Sequence, residues 1–542
     1  MNERATLRHK SGLGGSHSFF MVWAVSTGIL FCLYAIWSLI TPIGANNDES
    51  AQLVRAASVA RGEIIGRDVS KQSVADLPAS ARGGLQYCAG LSGADVCDKA
   101  VTIVRVPDTF ATLTSPPCFF YPTLPAGCSR GIRGSGRERS AATYVGRYPP
   151  FYYAVVGLPS LGWHTDIAVY LMRLVSGLLS ATMLGLAFAM AKRWSRTRML
   201  GLAVAVSATP MVFVFGSAVN PSGLEIASAV CVWTGGLILV LEPEGRPPLG
   251  LIASTAVSAS VMVLTRGLSP FWLAIIAVSL AVLAPRSALA LIQWKRVRIA
   301  AGVVTLATAV AVSYVVIAHS LSVYPIGMKV PAATSQWDIV KLALGRTGPV
   351  VYEFVGSFDL SEISPPSIVV GLWLFSASIV VGFGLVASLR RHAAVIIGLM
   401  IGSLLIPTAL MVSQAHKDGL VWQARDGFPL YAGILLTAGA VAGRTWPLDA
   451  SNMRRRMLRR LAILLATTVA LVQFGDLAWA LRRYTVGLGT VVNPFAHTGG
   501  RWNPPGSSLG LFAAMAIGSA AYCWWIVYLA RCDLTTDHTG GD

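Results

Sequence analysis

Apolar runs long enough to cross a bilayer recur along the whole chain, and most charged residues fall between them. About twelve are recognisable, at 19–41, 152–190, 199–218, 224–241, 249–265, 268–284, 299–320, 367–388, 393–413, 429–443, 461–481 and 508–530. A helix of about 20 residues spans the roughly 30 Å of hydrocarbon. Backbone polar groups in hydrocarbon must be satisfied within the segment, which leaves helices as the spanning form for runs of this length. The predicted fold is therefore an all-α polytopic membrane protein. Composition agrees: only 13% of the 542 residues are charged and 54% are hydrophobic, against about 25% charged in a soluble domain. A disordered chain is excluded, and a soluble enzyme is disfavoured.

The runs divide the chain. A cytoplasmic tail at 1–18 precedes the first helix at 19–41, which no Ala-x-Ala-like cleavage site follows, so it reads as retained rather than cleaved. A long loop covers 42–151, spans two to seven cover 152–320, a second loop covers 321–366, and spans eight to twelve cover 367–530 with a loop at 482–507 before a tail at 531–542. The second run is too long for one helix, and a break is expected at Pro159-Ser160-Leu161-Gly162. The 249–284 region reads as two short helices around Arg266-Gly267-Leu268-Ser269-Pro270. With the N-terminus cytoplasmic, inner segments hold 21 Lys and Arg, and the outer segments after the first loop hold nine. That bias places both termini inside and the three long loops outside. The surplus of 18 positive charges is thus a topology and bilayer signal, and no nucleic-acid partner is expected.

No Walker-type phosphate loop, HExxH or paired CxxC motif occurs. Cys88, Cys97, Cys118 and Cys128 all lie in the first long loop. Four cysteines allow three pairings. Cys88–Cys97 and Cys118–Cys128 are expected because each closes a short local loop, in a compartment that permits oxidation.

A few polar residues sit where chemistry could use them. Asp48 and Glu49 directly follow the first span. A carboxylate there could accept a proton from a hydroxyl, or Asp48 could simply cap a helix with Glu49 in its first turn. Tyr148 belongs to the aromatic stretch ending the first loop, which suits either a membrane anchor or a platform for a headgroup. Arg173, Arg266 and Arg425 lie in or beside spans. Each needs an anion, either a lipid phosphate that fits the guanidinium fork or an internal acid such as Glu225 or Asp426. Asn220-Pro221-Ser222-Gly223-Leu224-Glu225 reads as a tight turn opening a helix, with Glu225 offsetting its dipole.

In order along the chain, Asn47-Asp48-Glu49, Tyr148-Pro149-Pro150-Phe151-Tyr152-Tyr153, Arg173, Asn220 to Glu225, Phe354-Val355-Gly356-Ser357-Phe358 and Gln423-Ala424-Arg425-Asp426-Gly427-Phe428-Pro429 form a set that resembles the bacterial membrane family "domain of unknown function 2142". That family is grouped with the GT-C superfamily of polyprenyl-phosphate-dependent glycosyltransferases. The chain departs from the family pattern at Asn47, Gln52 and Asp426, where proline, histidine and tyrosine are usual. The resemblance implies a GT-C-like enzyme of the bacterial cytoplasmic membrane with its active site outside. It would move a sugar from a polyprenyl-phosphate donor to an envelope glycan or lipid-linked acceptor. It casts Asp48 or Glu49 as base, Arg425, Arg266 and Arg173 as phosphate ligands, and Tyr148, Asn220, Glu225 and Gln423 as donor-site residues. No cofactor is demanded, although Asp48 and Glu49 together could hold a divalent metal. The rival expectations are an envelope-lipid or polysaccharide transporter, and a non-catalytic assembly subunit.

Overall fold

The structure, a computed structural model, describes residues 14–46, 48–69, 100–111, 113, 118–119, 121–129, 131–242, 245–321, 330–358, 363–420, 422–445, 452–496 and 499–531. Helix α1 (Gly14–Ile40) leads into a buried helix α2 (Glu49–Val59). The first loop then supplies β1 (Arg67–Asp68), β2 (Thr102–Pro107), a short α3 (Asp108–Ala111) and β3 (Glu138–Thr143). The chain re-enters the bundle through α4 (Pro150–Val156), a 3-10 turn at Leu158–Leu161 and α5 (Asp166–Trp194), so the break expected at Pro159–Gly162 is present. Next come α6 (Arg198–Ser207), α7 (Pro210–Gly216), α8 (Pro221–Leu241), α9 (Leu249–Thr265), α10 (Ser269–Leu283), α11 (Pro285–Ile292) and α12 (Lys295–Ile317). The second loop folds into α13 (Gln336–Gly345) and α14 (Thr347–Gly356), and α15 (Ser367–Val386), α16 (Arg390–Asp418), α17 (Ala424–Thr445), α18 (Asn452–Val486) and α19 (Ser508–Leu529) follow.

Eight of these helices are long and apolar enough to cross a membrane: α1, α5, α8, α12, α15, α16, α18 and α19. Two bent pairs, α6–α7 at 62° and α10–α11 at 112°, raise the number to ten. By length and composition the described helices thus supply eight to ten spans. The other two runs form α9, which has only 17 residues, and α17, which opens on Arg425 and Asp426 and is less apolar. Helix α8 stands in the centre, with 94% of its apolar window buried, whereas α12 is peripheral, at 6%. Where α6 breaks, freed carbonyls find side-chain donors. Gln473 donates to Ala208 (3.0 Å) and Trp373 to Val206 (3.0 Å), while Thr209 donates across to Phe354 O (2.9 Å). At the turn into α8 the backbones nearly touch: a Cβ on Gly223 would lie 2.5 Å from the Cα of Gly216.

The first loop is a folded lobe, which the all-α expectation did not include. Its strands form one antiparallel sheet in the order β1-β2-β3, with Thr102 opposite Thr143 and Pro107 opposite Glu138. Every residue of α2 is buried, and Leu53, Val54, Val104, Phe110, Tyr152 and Val169 join in a core distinct from that of the bundle. Two buried arginines serve as carbonyl clamps. Arg55 donates to the carbonyls of Glu63 (3.1 Å), Ile64 (2.7 Å) and Tyr148 (2.7 Å). Arg483, near the end of α18, donates to Leu124 (2.7 Å) and Phe119 (2.6 Å). Arg483 thereby docks the short loop closed by a Cys118–Cys128 disulfide, the pairing expected for those two residues. Cys88 and Cys97 lie outside the described residues.

Closing a loop of 10 residues should stabilise the folded state by on the order of 2–3 kcal/mol. Cys118→Ser should lower the thermal unfolding temperature in detergent. Reductant should expose two more thiols to a mass-adding label in the wild type than in Cys118→Ser, and an equal gain in the two proteins would exclude the bond.

Candidate active site at the lobe–bundle junction

The site begins with a backbone irregularity. Asp48 has a φ of 61°, a left-handed conformation that few residues other than glycine, asparagine and aspartate adopt. It occupies the position before the first turn of α2, yet its side chain makes no cap hydrogen bond, contrary to the capping role open to it from the sequence. Its carboxylate turns to partners distant in the chain. Tyr144 Oη donates to Oδ1 (2.7 Å) and Arg425 Nη2 to Oδ2 (2.5 Å).

Arg425 opens α17. Glu353 of α14 accepts a hydrogen bond from the neighbouring Ala424 amide (2.9 Å), and Phe354 stacks on Phe428 with centroids 4.4 Å apart. Two of the sequence motifs thus pack on each other to set where the guanidinium points. Arg266, between α9 and α10, donates to Glu225 (2.9 Å) and to Asp426 (2.9 Å). Glu225 is fully buried and also accepts from Ser269 Oγ (2.6 Å).

These groups form one wall of a cavity of about 260 Å³, with Asp48, Tyr144, Tyr148, Arg266, Gln423, Arg425 and Asp426 facing it. Its apolar lining includes Leu268, Leu321, Leu410, Met411 and Trp422. Gln423 Oε1 is buried beside this space without a hydrogen-bond partner among the described residues. Two carboxylates, Asp48 and Asp426, and two guanidiniums thus share the cavity with apolar side chains.

The structure does not bring all the candidates here. Glu49 is fully buried in a pair with Arg173, which donates to it through Nε (2.7 Å) and Nη2 (2.5 Å). Arg173 also donates to the carbonyls of Ser38, Thr41 and Pro42 at 2.7–2.9 Å, and Glu49 accepts the amides of Gly44 and Val219. Neither residue lines the cavity, so neither the catalytic role considered for Glu49 nor the phosphate role considered for Arg173 has access to it. The two adjacent carboxylates are committed to different partners, so they do not form the pair considered for a metal. Asn220 caps α8, accepting from the Ser222 amide (3.0 Å), and Glu225 serves Arg266 from below. Among the described residues no group of three or more His, Cys, Asp or Glu side chains converges as a metal site would require.

Burial opposes ionisation of Asp48, but Arg425, the Tyr144 hydrogen bond and Arg266 outweigh it and hold the carboxyl below its ordinary value. Burial, then the neighbouring Asp48 charge, pushes the Tyr144 hydroxyl well above its usual range, so it remains a donor. Burial also raises the Glu353 carboxyl, against the pull of the Ala424 amide.

Sequence reasoning missed Tyr144 and Glu353, whereas the two internal acids it offered to the arginines, Glu225 and Asp426, both pair with Arg266. Tyr144 lies just outside the aromatic stretch that begins at Tyr148. Asp426 stands where the resemblance expected tyrosine, and Gln52, another departure, accepts a hydrogen bond from Tyr153 Oη.

Two outcomes are expected. Removing one partner of a fully buried ion pair costs about 3–5 kcal/mol, so Glu49→Gln should sharply lower thermal stability in detergent while Asp48→Asn should not. Because folding lowers the Asp48 pKa, its contribution is complete above the unfolded value of about 3.9 and is lost as pH falls through the folded value. The stability margin of the wild-type protein over Asp48→Asn should therefore shrink on acidification from pH 7 into that range. A margin independent of pH would contradict the ionised pair.

A family model described as "Predicted membrane protein (DUF2142)" matches residues 31–434, well over half of the chain. No curated protein matches it.

Proposed function

We propose, from the premise that the chain belongs to the predicted membrane protein family DUF2142, that it is a GT-C-type glycosyltransferase using a polyprenyl-phosphate-linked sugar at the extracytoplasmic face of a bacterial cytoplasmic membrane. One observation carries this reading: two ion pairs, Arg425–Asp48 and Arg266–Asp426, share one cavity with apolar side chains. In this reading the bundle has twelve spans, with α9 and α17 included. Asp48 accepts the proton of an acceptor hydroxyl as its oxygen attacks the sugar's anomeric carbon. The bond from that carbon to the phosphate oxygen breaks, the configuration inverts, and Arg425 and Arg266 stabilise the departing phosphate. Tyr148 and Gln423 face the head of the donor, and the Leu268–Leu321–Met411 wall takes the first isoprenoid units. The acceptor is an envelope glycan or a lipid-linked precursor.

The test is transfer from radiolabelled polyprenyl-phosphate sugars in membranes. Loss of the base should lower the rate by about 10²–10⁴-fold in Asp48→Asn, at normal folded abundance. Arg266→Gln should also be strongly impaired. Full transfer by Asp48→Asn would overturn the assignment.

A translocation reading draws on a different observation. Asp476 of α18 is fully buried against Gly356, near the α6–α7 break, and both its oxygens lack hydrogen-bond partners among the described residues. An ionisable group inside a span beside a broken helix is a transporter feature. Asp476→Asn should spare sugar transfer if the protein is the enzyme proposed, and should abolish lipid movement in vesicles if it is a flippase.

A further inference from the structure

Both guanidiniums of the cavity are already neutralised, but unequally. Arg266 is held between Glu225, which is fully buried, and Asp426. Arg425 bonds a single acid, Asp48, and its Nε has no hydrogen-bond partner among the described residues. Asp48, in contrast, has a second support in Tyr144, and its main chain is anchored through its carbonyl to the Gln52 amide (3.0 Å). The local count is three carboxylates, Asp48, Glu225 and Asp426, to two guanidiniums. A further anion can enter favourably only if a carboxylate yields its guanidinium, because like charges at this range repel strongly once desolvated.

From this asymmetry we propose that Arg425 exchanges anions. It holds Asp48 when the cavity is empty and the phosphate of an amphiphilic ligand when the cavity is filled, and the exchange frees Asp48 as a base. The proposal rests on the transferase reading for the last clause only. Tyr144 is the positioning residue: it keeps the released carboxylate in place through Oδ1 while Oδ2 turns to the acceptor hydroxyl. No proton moves in the exchange itself. The phosphate monoester or diester gains the charge-assisted hydrogen bonds of Arg425, and Asp48 loses the cation that depressed its basicity. A base thus becomes stronger only when the donor is present, which guards against idle use of the site.

The experiment measures binding of farnesyl phosphate, farnesol and inorganic phosphate to the full-length protein in detergent. One charge-assisted contact released corresponds to about tenfold in affinity. Asp48→Asn should therefore bind farnesyl phosphate about tenfold more tightly than wild type, with farnesol unchanged. Inorganic phosphate should tighten too but remain weaker than farnesyl phosphate, which separates a lipid ligand from a free ion. Asp426→Asn removes the same charge without releasing Arg425, so it should tighten binding much less. Equal affinity in Asp48→Asn and wild type would overturn the exchange, as would equal tightening in Asp426→Asn. Inorganic phosphate binding as well as farnesyl phosphate would overturn the lipid assignment. A kinetic readout is independent of these. The acid limb of kcat, which reports the occupied site, should lie above that of kcat/KM, which reports the empty one. Coincident limbs would also overturn the exchange. Tyr144→Phe should raise the acid limb of kcat/KM, a shift that a purely structural tyrosine would not produce. If Asp48→Asn keeps transfer but still tightens farnesyl phosphate, the base assignment fails and the exchange stands.

Discussion

The fully buried pair between Glu49 and Arg173 is the interaction on which the site depends. Two desolvated charges are costly unless nearly every donor and acceptor is matched, and here five hydrogen bonds leave the arginine and four reach the glutamate. Those partners come from the end of α1, the turn after it, α5 and the turn into α8. One ion pair thus ties three membrane helices to the start of the lobe. Asp48 is the residue directly before Glu49, so its left-handed backbone adjoins that anchor. Preorganisation of this kind lets a carboxylate keep its geometry when its partner changes.

Around that anchor, the cavity joins two unlike walls. The polar wall comes from the lobe and from helix starts, where unsatisfied amides and charged side chains gather. The apolar lining comes from the turn before α10, the residues after α12, helix α16 and the residues before α17.

Much of this was legible in order but not in role. The motifs at Asp48, Tyr148, Arg266 and Arg425 do meet at one cavity, and the break after α4 and the bend around Arg266 were readable from proline and glycine placement. Adjacent residues proved the hardest to separate. Asp48 and Glu49 are chemically alike and one position apart, yet one faces the cavity and the other is sealed, because a left-handed residue redirects the first side chain. In a linear reading Arg173, Arg266 and Arg425 each needed an anion, which an internal acid or a lipid phosphate could supply. Only contacts between helices far apart in sequence reveal that the first is fully consumed and the last is held by a single acid. The sheet escaped notice because β2 and β3 are six residues each and 30 residues apart, inside a loop with few other apolar signals.

The sequence alone determined that the chain is a helical membrane protein, because about twenty consecutive apolar residues have no other stable form in hydrocarbon. It also determined which segments carry charges that need partners, since an unpaired charge in so apolar a chain is costly. What only the tertiary structure decided is depth and partnership. Helices α8 and α12 are similarly apolar, yet one forms the centre of the bundle and the other its rim. Lipid tails and protein interior are equally apolar, so hydrophobicity does not distinguish between them. The same limit applies to the charges: which acid neutralises which arginine depends on distances of a few ångströms between segments hundreds of residues apart, and the fold alone sets those distances.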